Sequence, residues 1–288
     1  MEHIGNMALQ CICFSKDRPL QLDLFLSSYF LHCTDADEYP LVVIYHCSDE
    51  KQLAAYDEIV QLYDNVDFVL DHGEEGSYFR KLVIHFINKS DNVAFFVDDT
   101  ICVRDFCLRT CLSALDKYPE LLGVSLRLGH NVTYCYPSDQ PQTVPLLELL
   151  EPANDGLWSY EWGNACCDFR YPLEVSSSVY RTLDISFVDV YGYWHNPNTL
   201  EAVMDSIKEM FLFCKPPRRR LACFETSRCF SIPFNRVQND FRNRVDQRKE
   251  HAAAVFFDDF ISGKRLDAVA YNDYRNNACH EETQPLYH

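Results

Sequence analysis

The sequence predicts an α/β protein whose mostly parallel sheet is covered by helices. Strand-like and helix-like stretches alternate through the first hundred residues, the pattern of repeated βα units. The run LVVIY (41–45) is continuously apolar and β-branched, as a strand buried on both faces must be. Acids follow three of the four early strands, at the end where ligands of parallel sheets bind. The 288 residues, 47% apolar and 24% charged, suffice for one large domain, and we find no linker, repeat or low-complexity segment.

Strand one is read at residues 9–14. Pro19 suits a first helical turn, and Leu22, Phe25, Leu26, Tyr29 and Phe30 recur at helical spacing. LVVIY is strand two. Asp49 can cap the next helix, with Leu53, Tyr56, Val60 and Tyr63 as its buried stripe. Residues 66–70 read as strand three, 78–87 as a helix, and 93–97 as strand four, which ends at Asp98-Asp99. A helix follows to about Tyr118, with Cys107, Cys111, Ala114 and Leu115 on one face. Residues 126–187 change character, being rich in Tyr, Trp, Pro and Gly, with short strands and loops expected. Asn198 is expected to cap a helix burying Leu200, Val203, Met204, Ile207, Met210 and Phe211. A last helix over 252–261 stops at Gly263.

The formal charge of −17 repels phosphate backbones and argues against general nucleic-acid binding. The run Arg218-Arg219-Arg220 reads as a solvated turn or, alternatively, a local phosphate or acidic contact. Fourteen cysteines contain no CxxC pair and sit largely in apolar runs, which predicts reduced core thiols of a cytoplasmic protein. The N-terminus lacks a signal-peptide pattern, and no run reaches the roughly 18 apolar residues that cross a bilayer. There is no Walker loop and no GxGxxG. The turn FSKDRP has none of the glycines a sugar nucleotidyltransferase places there, and VDDT lacks the second acid of the haloacid phosphatase motif.

The segment FFVDDT carries the strongest chemical signal. Two carboxylates at the end of a buried strand are costly unless something positive neutralises them. Mg²⁺ or Mn²⁺ bridging to a diphosphate does so; an ordinary strand-ending Asp turn is the alternative. FSKDRP, LVVIYHCSDE and AFFVDDTI together resemble the GT-A glycosyltransferases, with VDD in the place of their DxD motif. YPLEVSSSVYR, NPNTLEAV, SIPFNRVQ and NACHEE resemble a bacterial-type sub-branch of the family-two kind, so the resemblance spans nearly the whole chain.

The resemblance implies a single GT-A-like domain, with residues 1–125 binding a nucleoside-diphosphate-sugar donor and 126–288 a carbohydrate or other hydroxyl acceptor. Ser15, Asp17 and Arg18 would line the nucleotide pocket. Asp49 would lie near the base or ribose, unless it is a plain N-cap. Lys81 would approach the diphosphate, unless it is merely solvated. Asp98 would meet ribose or metal, Asp99 the metal, and His280 would complete the metal shell; its protonation would then lower activity below about pH 6. An inverting transfer needs a carboxylate base. Glu201 is one candidate, with a capping role beside Asn198 as the alternative; Asp189 and Glu174 are others. Trp158, Tyr160 and Trp162 could stack on an acceptor sugar or fill the core. A protein that binds nucleotide-sugars or carbohydrate without turnover is the non-enzymatic alternative.

Overall fold

The computed structural model describes residues 7–73, 77–150, 156–237, 240, 244–246 and 248–288. The first half runs β1 (Gln10–Lys16), α1 (Pro19–His32), β2 (Leu41–His46), α2 (Glu50–Leu62), β3 (Val66–Leu70), α3 (Ser77–Ile87) and β4 (Asn92–Val97). Then come β5 (Thr100–Cys102), α4 (Leu108–Lys117) and β6 (Leu121–Ser125). The second half adds β7 (Tyr134–Cys135), β8 (Gln140–Pro141), β9 (Glu148–Leu149), β10 (Leu157–Glu161), β11 (Ser177–Arg181) and α5 (Thr182–Ile185). It ends with α6 (Pro197–Ser206), β12 (Arg220–Phe224), β13 (Cys229–Ser231) and α7 (Ala253–Ile261).

Among the described residues the main sheet has the order β3-β2-β1-β4-β11-β6-β12-β10-β9. β3, β2, β1 and β4 are mutually parallel, as are β6 and β12, while β11 runs antiparallel between β4 and β6. The sheet is therefore mixed but mostly parallel, and strands of both halves join it. β11 enters where the other strands leave. The carboxyl ends of β1, β2, β4, β6 and β12 thus share one edge with the start of β11.

Period-two alternation divides the core. Cys11, Cys13, Leu41, Val43 and Tyr45 face one apolar layer with α1, α2 and α4, while Ile12, Phe14, Val42 and Ile44 face the other with α3 and α6. This is why LVVIY has no polar position.

The periodicity misplaced several side chains. The buried stripe of α2 is Ala55, Tyr56 and Ile59, and Val60 is exposed. The cap of α6 is Asn196 rather than Asn198: its side chain accepts from the Thr199 amide at 2.9 Å, and Thr199 Oγ1 accepts from the Asn196 amide at 3.1 Å. Pro197 then occupies the first helical position, which its fixed φ favours. Met210 lies beyond α6 in a 3-10 turn and is exposed. Tyr160 and Trp162 are fully buried, so they fill the core instead of presenting a sugar platform, and only Trp158 is partly open. The arginine run makes acidic contacts within the chain, while Arg219 stays exposed. Arg218 pairs with Asp184 on α5 at 3.0 Å, and Arg220 on β12 with Glu148 on β9 at 2.6 Å. All fourteen cysteines are free and most are buried. No helix among the described residues is long and apolar enough to cross a membrane.

Candidate functional site

The shared sheet edge gathers several buried charges, Asp98, Arg127 and Glu174 among them. Asp98 and Asp99 form the turn between β4 and β5. Asp98 Oδ2 accepts from Ser15 Oγ at 2.9 Å and from the Lys16 amide at 3.1 Å, and Oδ1 takes Arg18 Nη1 at 2.9 Å. Arg18 is held from behind by Asn235, whose side-chain oxygen accepts from Nε at 3.0 Å and whose carbonyl accepts from Nη2. The same Nη1 lies 3.4 Å from Asp99 Oδ2. A guanidinium thus neutralises both acids in the resting chain, and Asp98 has both carboxylate oxygens engaged.

Asp99 is less well provided for. Its Oδ1 is buried with no partner. Burial, opposed by Arg18 and reinforced by Asp98, pushes its carboxyl up to about 6. Ser231 on β13 gives it a side-chain hydrogen bond and pairs in register with Thr100. Ser231 also bridges to His280: its amide donates to the Cys279 carbonyl at 2.9 Å, and the Glu281 amide donates to the Ser231 carbonyl at 3.0 Å. His280 therefore sits one bridge beyond the strand that faces the Asp turn. Its Nδ1 is buried and unpartnered.

The tail that carries His280 is locked in place. Thr133 and Tyr134 amides donate to the Asn277 carbonyl. Asn131, Ser227 and Asn276 form a closed polar clamp, with Asn131 Nδ2 to Ser227 Oγ at 2.8 Å and Asn276 Nδ2 to Ser227 Oγ at 2.9 Å. Gly129 admits this approach, since a Cβ there would lie 2.7 Å from the Ser227 amide. Burial and the charge of Arg127 push the imidazole down to about 3, which places its protonation below the pH of about 6 expected from the sequence. The neutral ring is the form that ligates a metal.

Arg127, just after β6, is buried among Glu174, Asp168 and Glu201. Glu174 is not free to act as a base. Its carboxylate accepts from the Ser177 amide at 3.1 Å and from Ser176 and Ser178, and lies 3.7 Å from Arg127 Nε. It fixes the chain entering β11. Glu201 on α6 is different. With Asn196 as the cap, it points instead into this cluster and accepts from the Val175 amide at 3.1 Å. Burial, opposed by Arg127 and reinforced by Glu174, pushes it up to about 7. Ser176, next to Val175, accepts from Thr100 Oγ1 at 3.0 Å, which connects Glu201's surroundings to the Asp turn.

The remaining predicted residues are placed elsewhere or are already engaged. Ser15 Oγ contacts Tyr56 Oη at 2.5 Å in addition to Asp98. Asp17 has φ 51° and binds Ser48 twice, at 2.7 Å to the amide and 2.5 Å to the hydroxyl, lacing the ends of β1 and β2. Asp49 caps α2, accepting from the Lys51 and Gln52 amides at 2.9 and 2.8 Å. Lys81 is exposed on α3. Asp189 lies exposed in a 3-10 turn, where its backbone carbonyl, not its carboxylate, is held by Arg80 at 2.7 Å. Arg127, Ser231 and Asn235 were missed by the sequence reading. Ser231 and Asn235 lie within the segment SIPFNRVQ, whereas nothing near Arg127 marks it.

The chemistry of the donor set suits a divalent ion in part. A buried carboxylate oxygen and a neutral imidazole nitrogen, both without partners, are oxygen and nitrogen donors of the kind Mn²⁺ accepts. Among the described residues no cluster of three or more such side chains converges on one point.

No family model matches the chain. The bifunctional glycosyltransferase pgtA of Dictyostelium discoideum is 29% identical over 287 residues, covering 92% of this chain and 35% of that protein. The chain thus spans about a third of the length of this relative. Among solved structures, S. aureus TarS is 16% identical with a TM-score of 0.49, over 78% of this chain and 36% of that one. TarS 1–349 in complex with UDP is 17% identical with a TM-score of 0.48, over 76% and 58%. GalNAc-T7 with UDP, GalNAc and Mn²⁺ is 9% identical with a TM-score of 0.46, over 79% and 44%. Through pgtA the chain is similar, along nearly all its length, to a glycosyltransferase, the class its motifs resemble.

Proposed function

We propose that the chain is a metal-dependent glycosyltransferase that moves a sugar, in the manner of a hexosyltransferase, from a nucleoside diphosphate to an acceptor hydroxyl. The observation that carries this reading is the pair of unpartnered buried atoms, Asp99 Oδ1 and His280 Nδ1, brought to one edge by β5 and β13. Leaving such groups unpaired is costly, and a bound ion with its ligand offsets that cost. The similarity to pgtA supports the same class.

Asp99 and His280 would hold Mn²⁺ or Mg²⁺, with Asp98 beside them, and the ion would neutralise charge on the departing diphosphate. Arg18 stands between the two acids and would turn toward the diphosphate as the acids gain another partner. Ser15, Asp17 and Asp49 shape the nucleotide end in residues 1–125, and Lys81 is free to approach it. Glu201 serves as base. A carboxylate raised to about 7 matches the proton affinity a general base needs near neutral pH, and its place beside Val175 and Ser176 puts it in the half, 126–288, assigned to the acceptor. Asp189, exposed and away from this cluster of charges, is the weaker choice for that role.

Incubating the chain with a panel of nucleotide-sugars and Mn²⁺ tests the reading. A transferase releases nucleoside diphosphate through slow donor hydrolysis, and Glu201→Gln reduces that release while leaving nucleotide affinity in place. Affinity without any release from the wild-type chain would instead indicate a binding protein.

A further inference from the structure

The hairpin of β7 and β8 holds a second chemical feature. Cys135 pairs in register with Gln140, so their side chains project together from the hairpin. The Gln140 amide donates to Cys167 Sγ at 3.4 Å. The Cys135 thiol lies near enough to Cys167 and Asp168 to push the first thiol up and hold the Asp168 carboxyl down against its burial. The two backbones are clamped by a reciprocal pair: the Asp168 amide donates to Gln142 Oε1 at 3.0 Å, and Gln142 Nε2 donates to Asp168 Oδ2 at 2.9 Å. Cys167 is held at φ 52°, in the left-handed region that residues bearing a side chain rarely adopt. Cys135 is buried, Cys167 half-buried and Cys166 exposed, so one end of the pair is open to reagents. Tyr136, the next residue after Cys135, has its ring 6.4 Å from that of His280.

We propose that Cys135 and Cys167 form a reactive dithiol site that low-molecular-weight disulfides convert to an intramolecular disulfide joining the hairpin to the turn after Cys166. The Cys167 thiolate attacks one sulfur of oxidised glutathione, whose S–S bond breaks and releases one glutathione thiolate. The Cys135 thiolate then attacks Cys167 Sγ of the mixed disulfide, the protein S–S bond forms, and the second glutathione leaves. Two cysteine sulfurs are oxidised, two glutathione sulfurs are reduced, and the two cysteine protons end on the departing thiolates. Burial, eased by Gln140 and reinforced by Cys135, holds the Cys167 thiol above its ordinary value, so exchange accelerates as the solution is made alkaline.

The test treats the full chain with oxidised glutathione at several pH values, alkylates the remaining thiols, and maps peptides by mass without reduction. The expected result is a linked Cys135–Cys167 peptide, about 2 Da lighter than the sum of its thiol forms. It forms faster at higher pH, is retained in Cys166→Ser and is lost in Cys167→Ser. Cys167→Ser alters the more open end of the pair, and a melting curve shows whether it folds. A mixed disulfide confined to Cys166, with Cys135 and Cys167 both alkylated, overturns the proposal. So does a link from Cys135 to Cys166.

Discussion

The two halves of the sheet edge treat their polar groups in different ways. On the side of β1, β2 and β4 the acids are consumed: Asp98 by Ser15, the Lys16 amide and Arg18, Asp17 by Ser48, and Asp49 by its own helix. On the side built from β6, β11, β13 and the C-terminal tail, buried groups are answered unevenly. His280 Nδ1 has no partner, whereas Glu174 is fully engaged and Glu201 is held by the Val175 amide and Tyr171 while burial raises it to about 7. Asp99 lies at the seam, with Oδ2 near Arg18 and Oδ1 without a hydrogen-bond partner. Satisfied groups hold a scaffold in shape, whereas unsatisfied ones gain most from a ligand.

The largest effect expected from this contrast is at Asp99. Asp99→Asn keeps the shape and removes the charge, so metal-dependent donor binding is lost while the fold is kept or made more stable, because a carboxyl already raised by burial no longer has to ionise. Thermal melting with and without Mn²⁺ and nucleoside diphosphate reads this. A variant that keeps the wild-type stabilisation by the ion would show that Asp99 belongs to the satisfied side.

Glu201→Gln should lower turnover by about 10²- to 10⁴-fold, the usual contribution of a general base, with little change in donor affinity. In the wild type the rate should rise with pH through about 7 as Glu201 loses its proton. Stability moves the opposite way. Glu201's folded value stands above its ordinary 4.5, so its contribution is full below about 4.5 and is lost as pH rises through about 7. Urea titrations of wild type and Glu201→Gln across that window check the sign: the variant should show a flatter decline.

Arg18→Met probes the satisfied side. It removes the cation shared by Asp98 and Asp99 and leaves two buried acids, a change that costs about 3–5 kcal/mol when a buried pair is broken. A double variant that also carries Asp98→Asn should recover part of the loss. Absence of any recovery would mean that packing against Asn235, rather than charge, is the role of Arg18.

The same contrast explains what could be read in advance. The first half was legible because its signals are local: alternation in β1 and β2, apolar runs, and acids directly after strands. The second half assembles its site across long separations, with Arg127 meeting Glu174 and Ser231 meeting His280; nothing near Arg127 marks it, and Ser231, though it opens SIPFNRVQ, carries no local sign of the partner it meets. His280 and Glu201 were reached through motif resemblance, and the pH response expected of His280 did not allow for burial beside Arg127, which a sequence does not reveal. The aromatic cluster stayed open between sugar stacking and core for a related reason, since loop-like composition at 157–162 conceals a strand paired on both sides, to β9 and β12.

The smallest expected effect concerns the cap of α6, and it tests how Glu201 is aimed. If Asn198 were the cap, Glu201 would stand at the third helical position and bend back toward the cap; with Asn196 as cap, Thr199 does so and Glu201 is released into the Arg127 cluster. Asn196→Ala should therefore cost about 1 kcal/mol of stability, and Asn198→Ala, inside the first turn, a few tenths at most. Urea midpoints of the two variants measure the difference. Because the cap fixes where α6 begins, Asn196→Ala should also lower turnover more than Asn198→Ala does. Equal stability losses in both variants would place the cap, and with it the aim of Glu201, back where the sequence alone had put them.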